Sequence, residues 1–285
     1  MIRERSPLKV RERHYSYDES IPKYYDQGNA VLTAEFEALS LIIPPGERFF
    51  IRSVQHFAGQ VSDPDLKRQI QAFSGQEAMH SKETCRSLEL LEKRGFPAAE
   101  FMKWHDSVIR RWERWLPFPS VHLRSTAALE HYTSVIAVWY LTSRYGDENL
   151  PPAIRDLWNW HTAEELEHKA VAFDLIEEVA PSGYLTRVVG YIIPLFLLWF
   201  ACQKAIRMFL KWGGLSKAEI RKERKKARRI RRSLFSVKMP HLWDFLKPGF
   251  HPNNLDDGSL GRQVLTKQDE GTSAAALNTD PGRLS

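Results

Sequence analysis

The sequence predicts an all-α protein built on a four-helix bundle, and three observations carry that prediction. Four segments repeat apolar residues at steps of three and four, which lines them up on one helical face. No segment alternates apolar and polar residues with comparable strength, so no strand is expected. Each of the four apolar stripes also carries a glutamate, and two of them carry histidine as well.

Taken in order, residues 1–28 are polar and rich in Tyr and Arg, and predict an irregular N-terminal arm without a secretory signal. A short apolar helix over 30–43 follows, stopped by Pro44-Pro45-Gly46. A new stripe then begins at Glu47 and continues through Ile51, Val54, Ala58 and Val61. Ser62-Asp63-Pro64 reads as a helix start, with a capping residue and proline at the first helical position. The helix it opens carries Leu66, Ile70, Phe73, Glu77, His80, Thr84 and Leu88 on one face and closes at Arg94-Gly95.

A Trp- and Arg-rich helix is expected over 97–115. Beyond Pro117 and Pro119, a helix over 120–144 presents Leu123, Ala127, Glu130, Ser134, Ala137 and Leu141 on one face. After Pro151-Pro152, one further stripe runs Ile154, Trp158, His161, Glu165, His168, Ala172, Leu175, Val179.

The polar residues on these stripes form a constellation: Glu47; Glu77-x-x-His80; Glu130; and His161-x-x-x-Glu165-x-x-His168. Four-helix bundles hold two metal ions with one Glu from each of two helices and a Glu-x-x-His from each of the other two. Four carboxylates buried together without cations would raise one another's pKa and oppose folding. Two divalent ions remove that cost, and a carboxylate and imidazole donor set suits Fe or Mn better than structural Zn. His161 exceeds the minimal set; it reads either as a further imidazole ligand or as a residue orienting a ligand carboxylate. His131, Glu164 and Glu167 fall off the stripes and are expected outside the site.

The pattern resembles the ferritin-like carboxylate proteins. From about Leu8 to the run at 245–252 (Phe-Leu-Lys-Pro-Gly-Phe-His-Pro), the chain also resembles a bacterial family labelled predicted metal-dependent hydrolases. The His-x-x-x-Glu-x-x-His form is similar to the site of the di-iron arylamine N-oxygenases, and that resemblance implies that His161 is a ligand. It further implies that Glu77 and Glu165 bridge the ions. Glu47 and His80 would complete one ion, and Glu130, His161 and His168 the other.

The expected cofactor is two iron ions, with Mn/Fe, Mn or Zn as alternatives. Seven protein ligands leave few open positions, and the same helices supply Phe50, Phe73, Trp158 and Phe173. This favours O2-dependent oxidation of a small apolar substrate, fed by an electron donor, over metal-dependent hydrolysis. Iron storage is a weaker reading, since a long C-terminal extension fits a compact cage poorly.

Charge is distributed unevenly. Residues 204–232 hold thirteen Lys/Arg and two Glu, a net +11, which leaves −5 on the rest of a chain whose total is +6. An apolar run lies just upstream, between Arg187 and Lys204, interrupted by Pro194. It reads as a buried helix, an interfacial segment or a short membrane span. No groove-reading or base-stacking module accompanies the basic run, so an anionic membrane surface contacted through 188–232 is preferred to specific nucleic acid.

Cys85 and Cys202 give no disulfide framework, so a reducing, cytoplasmic compartment is expected, with the chain possible at the periphery of the inner membrane. The expected organisation is thus an arm (1–28), a dimetal helical domain (29–182), an apolar and basic helical extension (183–260) and a disordered polar tail (261–285).

Overall fold

The computed structural model describes residues 7–181, 183–234, 241–255 and 257–278, and among them no strand occurs. Ten α-helices follow one another: α1 (Ala30–Gln55), α2 (Pro64–Lys93), α3 (Ala98–Trp115), α4 (Pro119–Thr142), α5 (Tyr145–Asn149), α6 (Pro152–His168), α7 (Val171–Val179), α8 (Tyr184–Trp212), α9 (Lys217–Leu234) and α10 (Gly258–Asn278). Helices α1, α2, α4 and α6–α7 pack around one interior, with α1 against α2 and α4, and α6 against α2 and α4. The arrangement is compatible with the expected four-helix bundle. Helices α3, α8 and α9 lean on the outside of α1, and α10 on α6.

Local signals set most of the helix ends. The Asn29 side chain accepts from the N–H groups of Val31 and Leu32 and so caps α1. Asp63 does the same for α2, with Pro64 at the first helical position. Gly95, at φ +85°, takes the left-handed conformation that ends α2.

Three expectations are corrected. Pro44 and Pro45 do not end a helix; α1 continues through them, so Glu47 sits in mid-helix and not at a helix start. Both prolines are buried, and the apolar residues on either side pack into two core clusters (Leu41 and Ile42 in one, Phe49 and Phe50 in the other). That packing offsets the two lost backbone hydrogen bonds. Second, the stripe from 154 to 179 is two helices, broken at Lys169-Ala170 immediately after His168. The Lys169 ammonium leaves the axis to reach the Leu255 carbonyl at 3.0 Å and the Asp257 carboxylate. Third, residues 261–278, expected to be disordered, are helical. Gly261 lies so close to α6 that a Cβ there would be 2.7 Å from the Ala163 carbonyl oxygen, and Leu265 is buried beside it. Residues 279–285 of the expected tail lie outside the described residues.

Residues 7–28 of the N-terminal arm, which form no helix or strand, are bound along the bundle. Tyr15 N–H and the Tyr17 hydroxyl both donate to Glu83, and Gln76 donates to the Lys9 carbonyl.

Candidate metal centre

All seven residues singled out by their stripes are buried: Glu47 on α1, Glu77 and His80 on α2, Glu130 on α4, and His161, Glu165 and His168 on α6. The structure brings them into two overlapping groups. Donor atoms of Glu77, His80, Glu165 and His168 lie within 4.8 Å of one another, and so do those of Glu47, His80 and His161. Between the groups, His80 Nδ1 is 4.0 Å from Glu165 Oε1 and 3.8 Å from Glu47 Oε1. His168 Nε2 is 3.7 Å from Glu77 Oε1 and 3.9 Å from Glu165 Oε1.

Two placements differ from what the resemblance implies. His161 joins the half of the site that holds Glu47 and His80, with its Nε2 3.8 Å from Glu47 Oε1 and its ring stacked on His80 at 4.2 Å. Glu130 belongs to neither group; its Oε2 meets the other ring nitrogen of His168, Nδ1, at 2.9 Å. The cause is the axial rise of α6, which carries His161 two turns away from His168 and down to the level of Glu47.

Two divalent ions fit this interior on a direct observation. Glu47 Oε1, both oxygens of Glu77, Glu130 Oε1, His80 Nδ1 and His168 Nε2 are buried with no hydrogen-bond partner. Leaving so many polar atoms unpaired in one place is costly, and cations coordinated by carboxylate oxygen and imidazole nitrogen remove the deficit. The electrostatics without metal agree. Burial, and then the neighbouring carboxylates Glu130, Glu47 and Glu165, push Glu77 well above the usual carboxylate range. Burial raises Glu47 to about 8 against the opposing pull of His161. It raises Glu130 to about 7 against that of His168. Glu165 moves the other way: against burial, the His161 hydrogen bond and the charges of His168 and His161 hold it down at about 2.

The surrounding groups orient the donors. His80 Nε2 meets Glu164 Oε2 at 2.9 Å, which turns Nδ1 toward the centre. Glu164 is in turn held by Arg11 of the arm at 2.8 Å. Arg11 also bridges to Glu167, which accepts from Gln76. The Ser81 hydroxyl donates to Glu47 Oε2 at 2.7 Å and the Thr133 hydroxyl to Glu165 Oε2 at 2.5 Å. Glu164 and Arg11 are the residues that stripe reasoning missed, and Glu164 was expected to point away. Helix α6 is buried on nearly every side, including Trp160 and Ala163, so its one-face periodicity does not say which carboxylates are interior. His131, also placed outside, is indeed occupied elsewhere, with its Nε2 on the His241 carbonyl at 2.8 Å.

A cavity of about 140 Å³ reaches the centre at Glu47, His161 and Glu165. Its walls are otherwise mostly apolar, with Ile43, Phe50, Ile109, Ile136, Trp158 and Leu198 among them. Of the aromatics expected around the site, Phe50 and Trp158 line this cavity and Phe73 stands edge-on to His168 at 5.1 Å. Phe173 does not belong there; it packs against Phe245, Phe250 and His251. A third acidic group, Asp174, Glu177 and His251, is structural. Both ring nitrogens of His251 are engaged, one by Asp174 and one by the Asn253 N–H.

Fold and interior together define a helical protein whose buried carboxylates and imidazoles could hold two metal ions. The chain belongs to the family described as predicted metal-dependent hydrolase, whose model matches residues 9–256. No curated protein and no solved structure matches it.

Proposed function

We propose that the protein is a dinuclear, iron-dependent enzyme that oxidises a small apolar organic molecule with O2. The observation that carries this reading is the cavity: the edge of the centre at Glu47, His161 and Glu165 opens onto mostly apolar walls. A pair of ferrous ions, when bound, supplies the redox chemistry toward O2.

The chain's own residues set the conditions for that chemistry. Glu77, His80, Glu165 and His168, with Glu47, Glu130 and His161 at the two ends, would hold the ions. Glu164 fixes which nitrogen of His80 faces the centre, and Ser81 and Thr133 fix the carboxylates of Glu47 and Glu165. The apolar walls keep water from the reacting face and select an apolar substrate by burial.

Hydrolysis is the second reading, favoured by the description of the family. Two ions could clamp a water there as well. Among the described residues that line the cavity there is no Lys, Arg, Asp or Asn, and its few polar groups (His105, Tyr132, Thr133, Thr162) stand among apolar walls, which supports oxidation.

The test is metal analysis of protein grown with iron, followed by anaerobic reduction and exposure to O2 under spectroscopic observation. Two irons per chain, lost in the Glu165→Ala/His168→Ala variant, with a transient visible band on O2 addition, is the expected result. Bound zinc or manganese with ester cleavage indifferent to O2 would replace oxidation by hydrolysis.

A further inference from the structure

Helix α8 is the one helix among the described residues long and apolar enough to cross a membrane, yet it is docked on the bundle. Its inner face is engaged: Tyr191, Ala201, Ala205 and Phe209 are buried, and the Tyr191 hydroxyl reaches the Leu242 carbonyl at 2.5 Å. Its outer face is apolar and open. Leu185, Ile192, Phe196 and Trp199 recur at helical spacing along one exposed stripe, Phe196 and Trp199 being 61% and 56% exposed.

Helix α3 touches α8 through side chains. Trp104 of α3 meets Phe200 of α8 at 6.2 Å, and the Lys204 ammonium lies 3.5 Å over the Trp104 ring. The outer face of α3 is cationic, with Lys103, Arg110, Arg111 and Arg114 exposed. Of its three acids, Asp106 is paired with Arg110 and Glu113 with Arg52, while Glu100 lies exposed in the first turn, away from Arg110, Arg111 and Arg114. At the far end of α3, Trp115 is 82% exposed, with Phe118 exposed just after it. Below the apolar stripe of α8, Arg207 and Lys211 are exposed in turn, and α9 then presents eight exposed Lys or Arg between 217 and 229 while Ala227 anchors its other side.

We propose that this α3–α8–α9 face docks on an anionic phospholipid bilayer, with the apolar stripe of α8 and Trp115 entering the interface and the flanking cations meeting the headgroups. An apolar stripe edged by Lys and Arg and carrying Trp is the pattern of a helix lying in the membrane plane, and each interfacial cation adds attraction to anionic lipid. Charge complementarity selects this occupant over a second copy of the chain, because a twofold pairing of such faces would set cation against cation. It also selects docking over spanning, since a span would strip Tyr191, Ala205 and Phe209 from their contacts. Leu197 and Leu198, pointing inward between the exposed residues, wall the cavity beside Glu165. Docking therefore sets the cavity against the lipid side. Delivery of a lipid-soluble substrate rests on the proposed oxidation, whereas docking itself does not.

The experiment is sedimentation of the full chain with phosphatidylcholine vesicles, with and without phosphatidylglycerol, at low and high salt. The expected result is binding only to the phosphatidylglycerol vesicles, released by salt. Phe196→Ser/Trp199→Ser and Arg111→Glu/Arg114→Glu should each weaken it about tenfold or more with unchanged circular dichroism and metal content. Equal binding by those folded variants would overturn the proposal. So would a salt-independent, carbonate-resistant membrane fraction, which indicates a span, or a dimer abolished by the Phe196/Trp199 pair in protein that ignores vesicles.

Discussion

His80 and Glu164, on facing helices, share a hydrogen bond of 2.9 Å with both side chains fully buried. The carboxylate thereby decides which ring nitrogen points at the other candidate ligands. Glu164→Ala should lower metal affinity by about 10- to 100-fold without unfolding the bundle, the range seen when a partner of a ligand histidine is lost. Arg11→Ala should reproduce part of that loss, since Arg11 holds Glu164. Titration against a chelator measures both, and wild-type affinity in Glu164→Ala would reduce the contact to packing.

Glu77, buried with neither oxygen partnered, separates the stability of the metal-free protein from that of the loaded one. Its folded pKa lies above the unfolded value, so its proton favours the native state at acid pH. That contribution is lost as pH rises above about 4.3. In metal-free protein Glu77→Gln should therefore raise stability at neutral pH, on the order of 1–3 kcal/mol, and the gain should vanish in acid. With metal present the order should reverse, because the variant binds poorly. Thermal melts with and without a chelator decide it.

Metal uptake should depend on pH with a definite sign. Glu47, at about 8, and Glu130, at about 7, keep protons near neutrality in the absence of metal. Incoming cations displace those protons, so affinity should climb between roughly pH 6 and 8, by about tenfold per unit for each proton released. Competition titrations across that window test this, and a flat profile would contradict it.

Gly261→Ala should free α10 from α6. The added methyl would meet a main-chain carbonyl, which cannot rotate away as a side chain would. Limited trypsin digestion at Arg262 and Lys267 should accelerate several-fold while metal content is retained. Unchanged protection would mean that the two helices separate slightly at little cost.

How much of this was legible in the sequence divides along physical lines. Periodicity located α2 and α4, a Trp- and Arg-rich composition suggested α3, and the Asp63-Pro64 and Gly95 signals placed the ends of α2, because capping and amphipathic burial are local. The same stripes carried the seven candidate ligands into one interior. The continuity of α1 through Pro44 and Pro45 was not legible, since long-range packing overrides a local penalty there. Nor was the break after His168, which depends on Lys169 meeting Asp257 some 88 residues later. Arg11 sits in a segment with no periodicity at all, and only the folded chain shows what it touches.

The arm that carries Arg11 has a consequence for how the centre comes into being. Its guanidinium meets Glu164 across 153 residues of chain, so a nascent polypeptide makes the arm long before α6 exists. Closing so wide a loop is slow and entropically demanding. During synthesis the candidate centre therefore stays incomplete on the α6 side, and its final ordering waits until the earlier-made arm has been laid across the helix made much later.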